Sequence, residues 1–242
     1  MVFCRKCSDS GLIIHDDFVE QCSCYKQRAI TSKIVASQIP PKFQGFTFKN
    51  FNLGFYSKSS IDPERNKSLR DIAASTLLAA KSFVNNSLTD SSTEGLLLTG
   101  PVGSGKTFLA CCIANELLSR NKKILFAVVP DLLDQIKATY GSNKSNTVTE
   151  SDLLDSAREV PILVLDDLGA HNYTDWTRNK IFTIINYRLN NLLPTIITTN
   201  INLEDLEEHL GERTTSRILQ MCKPYRLLVD VDIRMQLAKA GK

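Results

Sequence analysis

Apolar residues fall in short blocks separated by polar, glycine-containing joints, and the blocks alternate between two kinds. Gly95 to Thr99 (GLLLT), Ile124 to Val129 (ILFAVV), Ile162 to Leu165 (ILVL) and Thr195 to Thr199 (TIITT) are too short for helices and rich in branched side chains, which predicts buried strands. Between them the apolar positions recur at helical spacing. Leu69 to Val84 carries Ile72, Leu77, Ala80, Phe83 and Val84, and the segment after Gly105 aligns Phe108, Leu109, Ile113 and Leu117 on one face. Pro130-Asp131 opens a helix to about Tyr140, Asp152 to Arg158 forms a short one, and Trp176 to Leu193 a long one. Two further helices, starting near Leu203, precede a short edge strand, Tyr225 to Val229, and a terminal helix. This alternation predicts an α/β fold with a five-stranded parallel sheet, right-handed crossovers and helices on both faces. Ligands are expected at the C-terminal strand ends, where Lys106, Asp166, Asp167 and Asn200 lie.

The first part of the chain reads differently. Leu12 and Ile14, then Phe18 and Val19, flank Asp16-Asp17 like the arms of a hairpin, and Tyr25 to Gln38 is helix-like with Lys26, Arg28 and Lys33. Pro40-Pro41 ends that helix. Phe43, Phe46, Phe48 and Phe51 then crowd an extended stretch that either anchors a linker on the core or forms a lip over a bound adenine. Ser57 to Lys67 is polar and predicts a hinge or mobile loop; Asn85 to Glu94 and Gly141 to Glu150 are polar loops. The expected organisation is a cysteine-rich module and basic helix (1–38), a linker and lip (39–67), and a nucleotide-binding core with a short C-terminal lid helix (68–242).

Length and composition narrow the class. The 242 residues fit one medium domain plus a small appendage, and 43% apolar and 23% charged residues are ordinary for a soluble globular chain. A formal charge of +3 excludes a global field for nucleic acid, so DNA contact has to come from local sets: Lys26, Arg28 and Lys33, and Lys137 with Lys144 around the Gly141 to Glu150 segment. No run of about 18 apolar residues and no hydrophobic signal core appears, which favours the cytoplasm. Of seven cysteines, Cys4, Cys7, Cys22 and Cys24 lie at the two ends of the hairpin. Two thiolate pairs so placed suit a tetrahedral Zn²⁺ site, with His15 as an alternative ligand to one of the tight C-x-C pair; loosely ordered reduced thiols are the other reading. Cys111, Cys112 and Cys222 sit in apolar stretches and read as buried small hydrophobes.

The most informative stretch is Gly100 to Thr107, GPVGSGKT, between a strand and a helix. Gly100, Gly103 and Gly105, with Pro101, Val102 and Ser104 between them, let backbone N–H groups converge on one anion. Lys106 adds a cation for β- and γ-phosphates, Thr107 a hydroxyl for Mg²⁺, and the helix starting there, with Phe108 next along it at the nucleotide, a favourable dipole. Asp166-Asp167 closes the third strand, supplying one carboxylate for Mg²⁺ and a second, Asp167, for the attacking water. Asn200 either reports on the γ-phosphate or caps the helix after it. Arg213, Arg217 and Arg234 follow, and spacing alone leaves phosphate chemistry and surface pairing equally open for them.

The stretches IPPKFQGFTFKNF, TGPVGSGKT, VVPDLLDQIKATY, ILVLDDLGA, IINYRL, PTIITTN and LGERTTSRIL, in that order, resemble the DnaC/DnaI branch of bacterial or phage AAA+ helicase loaders and the related IstB-type transposition ATPases, from about Ile39 to the C-terminus. The resemblance implies an ATPase that self-assembles with ATP, binds a DnaB-type replicative helicase and helps place it on single-stranded DNA; a transposition helper acting on duplex DNA is the alternative. It further implies that Gly100 to Thr107 is the Walker A motif, Asp166 and Asp167 the Walker B pair, Asn200 sensor 1, Arg213 the arginine finger, Arg217 the second arginine of that box, and Arg234 sensor 2. Asp167 stands where many AAA+ proteins carry glutamate, implying slow hydrolysis. Only about 38 residues precede the core, implying that the larger helicase-binding portion of typical loaders is shortened or absent.

Overall fold

The alternation seen in the sequence resolves into one parallel sheet whose two faces bury different residues of the same strands. The computed structural model describes residues 7, 10, 12–14, 18–22, 38–89, 93–141, 149–169 and 173–240. A hairpin of β1 (Leu12–Ile14) and β2 (Val19–Gln21) comes first, antiparallel with Leu12 opposite Gln21, as the sequence predicts. A second hairpin, β3 (Ile61–Asp62) and β4 (Lys67–Ser68), leads into α1 (Leu69–Thr89). The core then runs β5 (Gly95–Thr99), α2 (Lys106–Ser119), β6 (Ile124–Val128), α3 (Val129–Ala138), α4 (Glu150–Glu159), β7 (Ile162–Leu168), α5 (Asp175–Asn190), β8 (Thr195–Thr199), α6 (Leu206–Leu210), α7 (Glu212–Met221), β9 (Cys222–Arg226) and α8 (Ile233–Ala240).

The five strands lie in the order β6-β7-β8-β5-β9, every neighbouring pair parallel. Side chains alternate across a strand, so Leu96 and Leu98 of β5, Ile162 and Val164 of β7 and Ile196 of β8 share one core with α1 and α2. Leu97, Leu163, Leu165 and Ile197 face the other, with residues from α3 through α7. Helices therefore cover both faces, and strands buried on both sides explain why these segments are apolar without a break. Cys111, Cys112 and Cys222 are buried, as expected of small hydrophobes. No helix among the described residues is long and apolar enough to cross a membrane.

Three expectations need correction. The polar stretch Ser57 to Lys67 is a folded hairpin rather than a hinge: Arg226 pairs with Glu64 and approaches Asp62, and Ser60 donates to Asp230 at 2.8 Å. The last strand lies earlier, at Cys222–Arg226, because Pro224 is accommodated on a sheet edge; Leu227 extends the contact by donating to the Thr99 carbonyl at 2.8 Å. The helix expected near Leu203 begins at Leu206 with Asp205 at its cap position. The segment ahead of the hairpin is also well packed: Ile39, Phe51 and Tyr56 belong to the α1–α2 core. The helix expected at Tyr25 to Gln38, except Gln38 itself, lies outside the described residues.

Candidate functional site

The C-terminal ends of β5, β7 and β8 gather the charged and hydroxyl residues on one rim of the sheet. β5 ends at Thr99 and the chain turns through Gly100, whose φ of +143° and closeness to the Leu227 carbonyl leave no room for a Cβ. Gly103 (φ +74°) is as tightly placed, its missing side chain replaced by the Asp232 carboxylate. α2 starts at Lys106 directly after the left-handed Gly105, so its first N–H groups point at the loop. Ser104 is fully buried and its hydroxyl has no hydrogen-bond partner among the described residues. The glycine-lined turn and the free N–H groups at the start of α2 fit a phosphate group.

Lys106 is 6% exposed and folds over the loop, donating to the carbonyls of Gly100 (2.7 Å) and Pro101 (2.8 Å). Burial lowers its ammonium to about 8 against the opposing pull of Asp167 and Asp166. Asp166 is 3% exposed and its Oδ1 accepts from Thr107 Oγ1 at 2.9 Å and Thr198 Oγ1 at 2.7 Å. Burial raises its carboxyl to about 6, the Thr198 bond working against that and Asp167 adding to it. A carboxylate paired with the hydroxyl after the lysine, held at a price in desolvation, fits a divalent cation. Asp167 is exposed, with a left-handed φ of +57°, and its N–H donates to Thr198 Oγ1 at 3.0 Å.

Of the remaining sequence-predicted residues, Asn200 is exposed just past β8; with α6 starting at Leu206 and capped by Asp205, Asn200 does not cap it. Arg234 lies in the first turn of α8, where Ile233 N–H donates to the Gly103 carbonyl at 3.0 Å, and its charge is close enough to lower Lys106. Arg213 is exposed on α7, outside this cluster of contacts. Arg217 is engaged: Nε donates to Asn186 Oδ1 (2.7 Å), Nη1 to the Arg213 carbonyl (3.1 Å), and the guanidinium lies 4.8 Å over the Phe182 ring.

The aromatic stretch divides. Phe46 packs on Phe108 of α2 with ring centroids 5.0 Å apart, and Asn115 Nδ2 donates to the carbonyls of Phe43 and Phe46. Phe48 lies under Lys81. These three anchor the chain on helices. Phe51 instead stacks on Tyr56 (5.6 Å), whose hydroxyl donates to the Ser104 carbonyl at 2.8 Å, so the chain ahead of α1 supports the phosphate loop directly. Tyr56, Thr198 and Asp232 were missed by sequence reasoning. Only Thr198 had a signal, a hydroxyl two residues before Asn200 in a strand ending at the site. At the N-terminus Cys7 and Cys22 are buried, while Cys4, Cys24 and His15 lie outside the described residues, as do Lys26, Arg28, Lys33 and Lys144. Among the described residues no three His, Cys, Asp or Glu side chains form a metal-binding group.

The replicative helicase loader DnaI of Bacillus subtilis is 32% identical over 147 residues, 55% of this chain and 46% of the relative. The replicative helicase loader DnaC of Escherichia coli K12 is 32% identical over 129 residues, 53% of this chain and 51% of the relative. The chain thus spans about half the length of these two loaders. A crystal structure of DnaI superposes with a TM-score of 0.60 at 28% identity, covering 78% of this chain and 92% of that one. The family model described as IstB-like ATP binding protein matches residues 27–223, and the chain belongs to that family.

Proposed function

We propose that the protein is an ATPase that helps load a DnaB-type replicative helicase onto single-stranded DNA in the cytoplasm, as a nucleotide-dependent oligomer. The observation that carries the ATPase reading is the convergence of Lys106, Thr107 and Asp166 beside the outward-facing Asp167. In this reading Gly100 to Thr107 bind the phosphates, Thr107 and Asp166 hold Mg²⁺, Asp167 orients the attacking water, and Asn200 and Arg234 contact the γ-phosphate side. Held there, Mg²⁺ would supply charge neutralisation on the triphosphate. Arg213, exposed and outside its own subunit's site, acts on a neighbouring subunit's nucleotide, and Arg217 backs it through the Arg213 carbonyl. The cysteine module binds one Zn²⁺ through Cys4, Cys7, Cys22 and Cys24.

The single-strand reading has local support. Tyr140, 60% exposed, meets Trp176 edge-on at 6.1 Å, and the ammonium groups of Lys137 and Lys180 lie 5.5 and 5.6 Å over the indole, Lys180 also pairing with Glu150. The exposed Tyr140 ring suits a stacked base, and Lys137 beside it a phosphate. The family match keeps the transposition-helper reading, with duplex DNA, as the second. The deciding experiment is to incubate the protein with a replicative helicase ring and circular single-stranded DNA, with ATP or ADP, and to count loaded rings. ATP-dependent loading supports the proposal; ATP-independent binding that prefers duplex DNA, with no helicase association, supports the alternative.

A further inference from the structure

β7 and β8 fall out of step where the carboxylates emerge. Leu165 pairs with Ile197 and Leu168 with Thr199, so three steps along β7 match two along β8, and Thr198 faces both Asp166 and Asp167. Such a bulge bends the strand and re-aims a side chain. It leaves Asp167 in the left-handed region, which a residue with a Cβ adopts only when its surroundings hold it there. The Thr198 hydroxyl is the group in position to do so: its proton goes to Asp166 Oδ1 (2.7 Å) while its oxygen accepts the Asp167 N–H (3.0 Å). Thr198 is fully buried, so water does not substitute for it.

We infer that Thr198 is a positioning residue that fixes the two carboxylates in opposite roles, Asp166 turned inward toward Thr107 and Asp167 outward. The inference rests on the reading of this rim as an Mg·ATP site, but its first consequence does not. In Thr198→Val, nearly the same volume is kept and both hydrogen bonds are lost; in Thr198→Ser, both bonds are kept and a buried methyl is lost. A packing role and a positioning role therefore rank the variants in opposite order.

The test measures three quantities on the full chain: amide exchange of the 166–169 segment without nucleotide, affinity for a fluorescent ATP analogue with and without Mg²⁺, and ATP turnover. For Thr198→Val the expected results are about tenfold faster exchange at the Asp167 amide and metal-free affinity within about twofold of wild type. The Mg²⁺ enhancement and turnover each fall about tenfold or more. Thr198→Ser stays within about threefold of wild type on all three. Unchanged exchange in Thr198→Val, or Thr198→Ser behaving like Thr198→Val, overturns the inference. If the wild type shows no Lys106-dependent nucleotide binding, the Mg·ATP reading fails by itself and the exchange result alone decides the role of Thr198.

Discussion

Arg188 offers the sharpest test of how the scaffold under the site is held. It sits in α5, fully buried, and at the sheet end opposite the nucleotide rim it joins the end of α4 to the start of β8. Nε donates to Thr195 Oγ1 (2.8 Å), Nη1 to the carbonyls of Ala157 (3.1 Å), Arg158 (3.0 Å) and Val160 (2.8 Å), and Nη2 to Pro194 (2.7 Å). Burial lowers the guanidinium to about 9, still well above neutral pH, so the group stays charged with carbonyl and hydroxyl oxygens as its acceptors. In Arg188→Met these acceptors lose their donor. Pro194 keeps the Leu163 N–H (3.3 Å) and the Thr195 hydroxyl keeps the Leu193 carbonyl (3.0 Å), so among the described residues the carbonyls of Ala157, Arg158 and Val160 are left without a donor; at about 1.5 kcal/mol for each, the gross loss is about 5 kcal/mol. Relief of the buried charge returns about 2 kcal/mol. The net, about 3 kcal/mol, corresponds to a melting point lower by about 10 °C for a chain of this size. Arg188→Lys, with three donors on one nitrogen, should fall between. Thermal and urea unfolding of the three proteins checks the order. A drop under about 2 °C for Arg188→Met would show that water or relaxation satisfies those carbonyls, refuting the reasoning.

Three further outcomes follow from the site and its surroundings. Lys106 has a folded pKa of about 8, below that of the unfolded chain, so its penalty is fully present below pH 8 and relieved as pH rises toward 10.5. Nucleotide-free Lys106→Met should therefore unfold later than wild type at pH 7, by up to about 3 kcal/mol, with the gap closing above pH 8; a constant gap across pH excludes the charge as its cause. Arg213→Ala should bind ATP normally yet lose assembly-stimulated hydrolysis, and mixing it with Lys106→Ala protein, which contributes a wild-type Arg213, should restore activity; mixtures that stay inactive argue for a role within one subunit. Purified protein should carry one zinc per chain, lost in Cys4→Ser and Cys22→Ser without loss of ATP binding, and metal analysis well below one equivalent counts against the site.

The strands and the phosphate loop were legible because each is a local signal: unbroken apolar runs for strands buried on two faces, and glycines at positions where the backbone turns left-handed or meets another chain segment. The sheet followed from their alternation with helices. What was not legible depends on distant partners. The 57–67 hairpin looks like a loop because it is fixed by Arg226, which is 162 residues beyond Glu64. The anchoring of Phe43 and Phe46 depends on Asn115, and the role of Phe51 on Tyr56 and the Ser104 carbonyl. The bulge at Asp167 arises from the pairing of two strands, and nothing in ILVLDDLGA marks which residue is displaced. Arg217 reads as a catalytic arginine by motif, yet Asn186 and Phe182, one turn apart on α5, engage it within its own chain.

The central claim is that the rim formed by Lys106, Thr107, Asp166 and Asp167 divides nucleotide binding from turnover. The most direct measurement is parallel titration of ATP binding and steady-state hydrolysis for wild type, Lys106→Ala and Asp167→Asn. Lys106→Ala should lose binding, because the phosphates lose their buried cation. Asp167→Asn should bind within about threefold of wild type and turn over at least about a hundredfold more slowly. Equal loss of binding in both variants, or undiminished turnover in Asp167→Asn, would contradict the account.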